Sequence, residues 1–410
     1  MKTKAFPLSA AIFFAAFALH GQVIDILIKN GHVIDPKNNV DAVMDIAIRD
    51  KKIVEVSPKI TKEAKKVVDA TGLYVTPGLI DIHGHHFFGT ESDAYLSNSY
   101  AALPPDGFTF RSGVTTVVDA GGSGWRNFLA FKSQAIDHSK TRVLAFLNIV
   151  GSGMRGGPYE QNPMDMDAKL TAIMAKQYPE YIVGIKLAHY MGHEWEPTDR
   201  AVKAGELAKI PVMVDFGGAE PALSLETLLM EKLRPGDILT HCFGHTKTRM
   251  PVVQNGTLQA FALNAQKRGV IFDVGHGGGS FLFEQAVPAI KQGLKPNSIS
   301  TDLHTGSMNG GMKDMINVMS KLLNIGLTLN EVIACSTWNP AQEINKKELG
   351  NLSVGAPADV AVISLEKGSF GYVDVGGFKV TGDKKLVCQV TVRDGDVVWD
   401  LNGLSATNFK

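Results

Sequence analysis

The feature that most narrows the choice of fold is an eightfold alternation through the middle of the chain. Short apolar, β-branched runs occupy residues 78–83, 113–120, 143–150, 182–188, 212–216, 238–242, 270–274 and 298–302, and each has the length of a strand. Helical spacing fills the gaps at 127–138, 168–177, 200–208, 223–233 and 258–267. Strands that alternate with helices pair in parallel, and eight such units close into a barrel. Side chains that do chemistry then stand where the strands end and the next loops begin.

The two ends read differently. Ile24, Ile26, Ile28 and Val33, then Ile46, Ile48, Ile53, Val54 and Val56, alternate between turn residues such as Asn30-Gly31 and Asp50 to Lys52, which is the signature of a strand meander. The run from Ala358 to Val398 repeats the style and ends on an Asp394-Gly395 hairpin signal. Pairing the ends with each other protects edges that two separate appendages would leave open. The expected class is α/β: a (β/α)8 TIM barrel over 77–344, with a small β-sandwich built from 22–76 and 345–410.

Composition excludes several partners. The 410 residues carry 41 Lys plus Arg against 41 Asp plus Glu, so no global field draws the chain to nucleic acid or an anionic membrane. Lys2 and Lys4 precede an apolar run from Leu8 to Leu19, and the small residues Ala16, Ala18 and Gly21 supply cleavage-compatible positions. A membrane span needs about 20 apolar residues, so this run reads as a secretory signal over 1–21 rather than an anchor. The mature protein is expected in the periplasm or outside the cell, without a stable membrane anchor. Cys242, Cys335 and Cys388 are an odd number without metal-type pairing, which argues against a disulfide framework and leaves room for at most one disulfide with a leftover thiol.

The chemistry concentrates at the strand ends. His83 and His85 stand two apart at the end of the first strand, so both imidazoles can face one cation. Lys186 ends the fourth strand, Asp215 the fifth, His241 the sixth and Asp302 the eighth. A lysine buried and charged among apolar neighbours is costly, whereas its carbamate is an anion able to bridge two cations; the plain alternative is an exposed lysine at a strand end.

All of these residues but Asp215 lie within six stretches: Gly78-Leu-Ile-Asp-Ile-His-Gly-His85, Gly184-Ile-Lys186, Thr240-His-Cys-Phe243, Phe272 to Phe281, Ile299-Ser-Thr-Asp-Leu-His304 and Ser336-Thr-Trp-Asn-Pro-Ala341. In that order they resemble the amidohydrolase superfamily of binuclear metal hydrolases, and within it the amidohydrolase/deacetylase branch related to dihydroorotases. The resemblance implies that His83, His85 and Asp302 hold one metal, carboxylated Lys186 bridges, and His241 holds a second. It implies two zinc ions, with other divalent metals acceptable at the second site. The family places a histidine at the end of the fifth strand, where this chain has Asp215; a carboxylate can serve as a ligand there, and would favour ions that accept oxygen, such as manganese.

The implied reaction is hydrolysis of an amide or ester by a hydroxide held between two divalent ions, with Asp302 as general base. His276, in the glycine-rich stretch after the seventh strand, is expected to donate a hydrogen bond to substrate or oxyanion. Arg155 is expected to pair with a substrate carboxylate. His86, Tyr190, His193 and His245 are expected in loops or behind the ligands, while Trp195 and Trp338 are expected to pack. The branch implies deacetylation of a small carboxylate-bearing N-acyl or O-acyl compound. Ring opening of a cyclic amide is the alternative, and a scaffold with a degenerate site is the non-enzyme reading. The expected partner is a small molecule, with a homo-oligomer compatible.

Overall fold

The protein is described by a computed structural model covering residues 23–89 and 101–409; the expected signal over 1–21 lies outside the described residues. Five strands open the chain: β1 Ile24–Asp35, β2 Val40–Arg49, β3 Lys52–Ser57, β4 Ala64–Asp69 and β5 Tyr74–Pro77. The barrel strands follow as β6 Leu79–Gly84, β7 Val114–Gly124, β8 Arg142–Asn148, β9 Ile182–Leu187, β10 Val212–Val214 and β11 Ile238–Leu239. A small hairpin, β12 Val253–Gln254 with β13 Thr257–Leu258, precedes β14 Ile271–Phe272. The chain closes with β15 Val360–Val373, β16 Lys379–Arg393 and β17 Asp396–Asp400.

Both ends share one sheet, in the order β17-β16-β15-β5-β1-β2-β3, with β4 also against β1. The join is β5, which runs parallel to β1 through His32 and Val33 and antiparallel to β15, where Val75 faces Val362. Ile26, Ile28, Val33, Ile46, Ile48 and Val75 from the first end bury against Val360, Val362, Val390 and Val392 from the last. The β-sandwich is therefore a joint product of sequences more than 280 residues apart, as edge protection requires.

The barrel forms a parallel sheet in the order β14-β11-β10-β9-β8-β7-β6. Residues 298–303 close it: Ser298 bridges to Asp273 beside β14, and Leu303 bridges to Gly84 at the end of β6. The expected eighth strand is thus present as two bridges, with backbone bonds from the Val274 and His276 N–H groups to the Ser298 and Ser300 carbonyls on one side and between Leu303 and both His83 and His85 on the other. Ser298 and Ser300 donate to Asp273 at 2.9 and 2.7 Å, and Asp302 turns into the left-handed region at φ 53°. Ile80, Ile82, Val118, Leu144, Phe146, Val183, Met213 and Ile238 fill the interior. Leu79, Val117, Leu147, Ile185 and Val214 face the helices.

Two helices begin where sequence predicts them. Asp167 caps Ala168–Gln177 by accepting from the N–H groups of Lys169 and Leu170. Ser224 accepts from Thr227 N–H to start the helical segment 225–232. That segment, like 128–136, continues in wide turns instead of one regular helix.

Trp338, Ala341, Ile344 and Leu349 plug the end of the barrel opposite the loops that follow the strands. Glu343 is buried on that plug, and its Oε2 has no partner. Burial pushes its carboxyl up to about 8, with nearby Asp273 adding to the rise. A carboxyl whose folded value exceeds its unfolded one supports the fold below the unfolded value, and that support is lost as pH rises through the folded value. Stability should therefore fall between about pH 4.5 and 8. Glu343→Gln should flatten the slope and raise stability at pH 8 by roughly 2 kcal/mol, measured by denaturant melts across that range.

Candidate metal centre

Five strand ends deliver the expected donors to one buried place. His83 lies within β6 with His85 just after it, Lys186 lies within β9, and Asp215 directly follows β10. His241 stands two residues beyond β11, and Asp302 lies in the closing segment. His85 Nε2 is 2.8 Å from Asp302 Oδ1, and His83 Nε2 is 3.6 Å from the same oxygen. Lys186 Nζ lies 3.3 Å from His83 Nε2, and His241 Nε2 lies 3.5 Å from Asp215 Oδ2. His83, His241 and Asp302 together offer donor atoms within 4.8 Å of one another.

Hydrogen bonds behind the rings fix which nitrogen faces inward. Thr240 Oγ1 donates to Asp273 Oδ2 at 2.7 Å, so its oxygen accepts from His83 Nδ1 at 2.9 Å and leaves the His83 Nε2 lone pair free. His241 Nδ1 donates to the Gly275 carbonyl, which frees its Nε2 in the same way. Burial, reinforced by Lys186, holds His83 well below the ordinary imidazole value, so it stays a neutral ligand. Burial likewise lowers Lys186, favouring the neutral amine that carbon dioxide requires. For Asp302 burial pushes upward, but His83, His85 and His241 outweigh it and keep a carboxylate. Asp215 is held well below the usual range because His241, His189 and Lys186 likewise outweigh burial. A neutral His83, inward-facing Nε2 atoms on His83 and His241, anionic carboxylates and a buried amine are the donor chemistry a divalent ion takes, so the residues fit a metal.

Two glycines make room for this set. A Cβ on Gly121, at φ 92°, would meet Lys186 Cγ at 2.7 Å, and one on Gly277, at φ 58°, would meet Asp302 Oδ2 at 2.5 Å. The glycine-rich stretch after β14 therefore serves the approach of Asp302, not a phosphate.

The structure corrects one expectation and displaces another. His276 is fully buried, its ring stacked on Phe281 at 4.5 Å. Nδ1 donates to the Gly277 carbonyl and Nε2 accepts from Lys321 Nζ at 2.8 Å. Neither nitrogen is left for a substrate, and burial together with Lys321 lowers the ring to about 3. Arg155 lies over the Tyr159 ring at 3.8 Å, in a recess shared with Arg126, Asn127 and Asp165, rather than against the donors. His86 is buried behind the site, bonding the Leu103 carbonyl at 2.8 Å, and His245 meets Glu284 at the surface. Tyr190 donates to Glu194, while His193 is exposed. Trp195 stacks on Phe216, and Trp338 packs at the barrel plug.

Three further residues complete the surroundings. His304 Nδ1 accepts from the N–H groups of Gly306 and Ser307 at 3.1 and 3.4 Å, so Nε2 carries the hydrogen. That Nε2 stands 3.8 Å from Asp302 Oδ2, on a side chain one-quarter exposed. The spacing Asp302-Leu-His304 was the available signal. Arg249 reaches from a loop, with Nη2 donating to the Thr240 carbonyl at 2.7 Å and Nη1 3.5 Å from Asp215 Oδ1. His189 follows β9 and stands 3.6 Å from Asp215 Oδ2.

Known proteins are similar to this chain in sequence and fold. The Amidohydrolase family model matches residues 283–398. A deacetylase of Brucella anthropi is 35% identical over 346 residues, covering 82% of this chain and 83% of its own length. A deacetylase of Enterococcus faecalis is 32% identical, over 91% of this chain and 98% of its own. The fold superimposes on crystal structures of an adenine deaminase and a dihydroorotase with TM-scores of 0.82 and 0.81, each at 30% identity and over 92% of this chain. Relatives matched along almost their whole length, on a barrel whose strand ends carry a divalent-ion donor set, place this chain in the amidohydrolase family, as a metal-dependent hydrolase.

Proposed function

We propose that the enzyme removes the acyl group from a small N-acyl or O-acyl compound carrying a carboxylate, using two zinc ions bridged by carboxylated Lys186. His83, His85 and Asp302 would hold one ion, and His241 and Asp215 the other. Bound there, the ions supply an activated water and a Lewis acid for the acyl carbonyl. Asp302 accepts the proton of the attacking water at Oδ2, since Oδ1 is engaged by His85, and passes it to the leaving group. His304 offers its Nε2 hydrogen at the same opening. The N-terminal run 1–21 is proposed as an export signal; among the described residues no helix is long and apolar enough to cross a membrane.

The observation carrying this reading is the convergence of the donor set on Lys186, which is 1% exposed. Acyl removal is put first because the deacetylases are 32–35% identical over most of the chain; the dihydroorotase structure, 30% identical over 92% of the chain, supports ring opening as the second reading. Metal analysis of purified protein with a panel of N-acyl amino acids, acyl esters and cyclic amides tests it. Turnover confined to cyclic amides would overturn the deacylase reading, and active protein free of zinc would overturn the choice of metal.

The recess of about 830 Å3 that holds Arg126 and Arg155 lies among the loops following the strands, where a substrate carboxylate would be met. Arg155→Ala should raise KM roughly tenfold and leave kcat within about twofold. Steady-state kinetics on the best substrate decide it, and an unchanged KM would remove Arg155 from recognition.

A further inference from the structure

The loop leaving β9 carries an imidazole toward the second half of the centre. His189 Nδ1 donates to Glu160 Oε2 at 2.9 Å, and that glutamate side chain is itself 1% exposed. A ring oriented by a buried carboxylate through one nitrogen presents the other as a lone pair, the usual arrangement of a metal-ligating histidine. Here Nε2 stands 3.6 Å from Asp215 Oδ2, and His241 Nε2 stands 3.5 Å from the same oxygen. With the Nδ1 hydrogens of the two rings committed to Glu160 and to the Gly275 carbonyl, both Nε2 lone pairs face this carboxylate oxygen, an arrangement that a cation among them satisfies. Ligands at roughly 2.0–2.2 Å around a tetrahedral ion stand roughly 3.3–3.6 Å apart, so both spacings suit a shared ion. Arg249 takes the other carboxylate oxygen, leaving Oδ2 to the two rings.

The backbone carries a second mark. His189 adopts φ 58°, beside 56° for His241 and 53° for Asp302. Among the described residues the other non-glycine residues in this region are Asn, Asp and Lys. Left-handed backbone at a histidine persists only where its surroundings enforce it.

The geometry points to His189 as a protein ligand of the second ion, acting with Asp215 and His241 and held in place by Glu160. This rests on the two-ion reading above. The test uses full-length protein, zinc alone as the probe, and metal content after dialysis, with cobalt-substituted protein giving a visible spectrum of the outer ion. The parent should hold two ions. His189→Ala should hold one, with outer-ion affinity weakened more than roughly 100-fold and the outer cobalt bands lost. Glu160→Gln, which keeps the ring, should weaken the same ion by roughly 10–100-fold. A parent with one ion defeats the two-ion reading itself. A parent with two ions and a His189→Ala protein with two ions of unchanged affinity defeats only the role of His189. Loss of both ions from a variant with parental circular dichroism also defeats it, since the inner donors do not include this ring.

Discussion

Lys186→Ala is expected to abolish the second ion and lower kcat/KM by about three orders of magnitude, the equivalent of several kcal/mol of lost charge stabilisation. The side chain is buried 3.3 Å from His83 Nε2, in the space that glycine at 121 keeps open. Alanine leaves a cavity at that spot, large enough for a short carboxylic acid to enter. Added formate or acetate should therefore restore part of the turnover and the second ion together. Kinetics and metal content with and without the acid check this, and full activity without rescue would remove the lysine from the mechanism.

Asp302→Asn should be the other severe change. The amide keeps the shape but carries no charge, so it cannot accept the proton that the carboxylate takes at Oδ2, and it weakens the anionic side of the inner site. General-base loss alone accounts for roughly 10²–10⁴-fold in kcat, and weaker metal binding adds to it. Folding should survive, because Ser307 Oγ, which anchors this segment, donates to the Asp302 backbone carbonyl at 2.7 Å, not to the side chain. Single-turnover kinetics on metal-saturated protein separate proton transfer from occupancy. A variant that saturates with metal and keeps parental kcat would show that another group accepts the proton.

The barrel and the ligand strands were legible because their signals are periodic. Lys186 and Asp215 stand at the ends of apolar runs, where alternation tells which way a side chain points; His241 was legible from its place at the end of the sixth run, and its φ of 56° turns it to the site. The joint sandwich was legible for the same reason, from Ile26, Ile28, Val360 and Val362. His189 was not legible, because alternation from Lys186 and Ala188 directs residue 189 away from the site, and the left-handed φ of 58° reverses that. His276 misled in the opposite sense: its place after β14 suggested access, but Lys321 arrives from the helix Met315–Asn324 and occupies the ring nitrogen. Arg249 lies in a loop with no period to read. Contacts set by tertiary approach leave no mark on local spacing.

The strand β5 has a bearing on how the protein is made. Val75 is matched with Val362, so during synthesis one edge of β5 waits for a partner until nearly nine-tenths of the chain has been translated. Throughout that interval Val33, Val75 and their neighbours lack the valines that finally cover them. Open edges and uncovered aliphatic residues are what drive nascent chains to associate. The nascent protein should therefore depend on holding chaperones to a degree its finished form does not suggest. A chain cut short after Gly350 should aggregate even with every metal ligand present, so loss of the last 60 residues would be a defect of yield before it was one of catalysis.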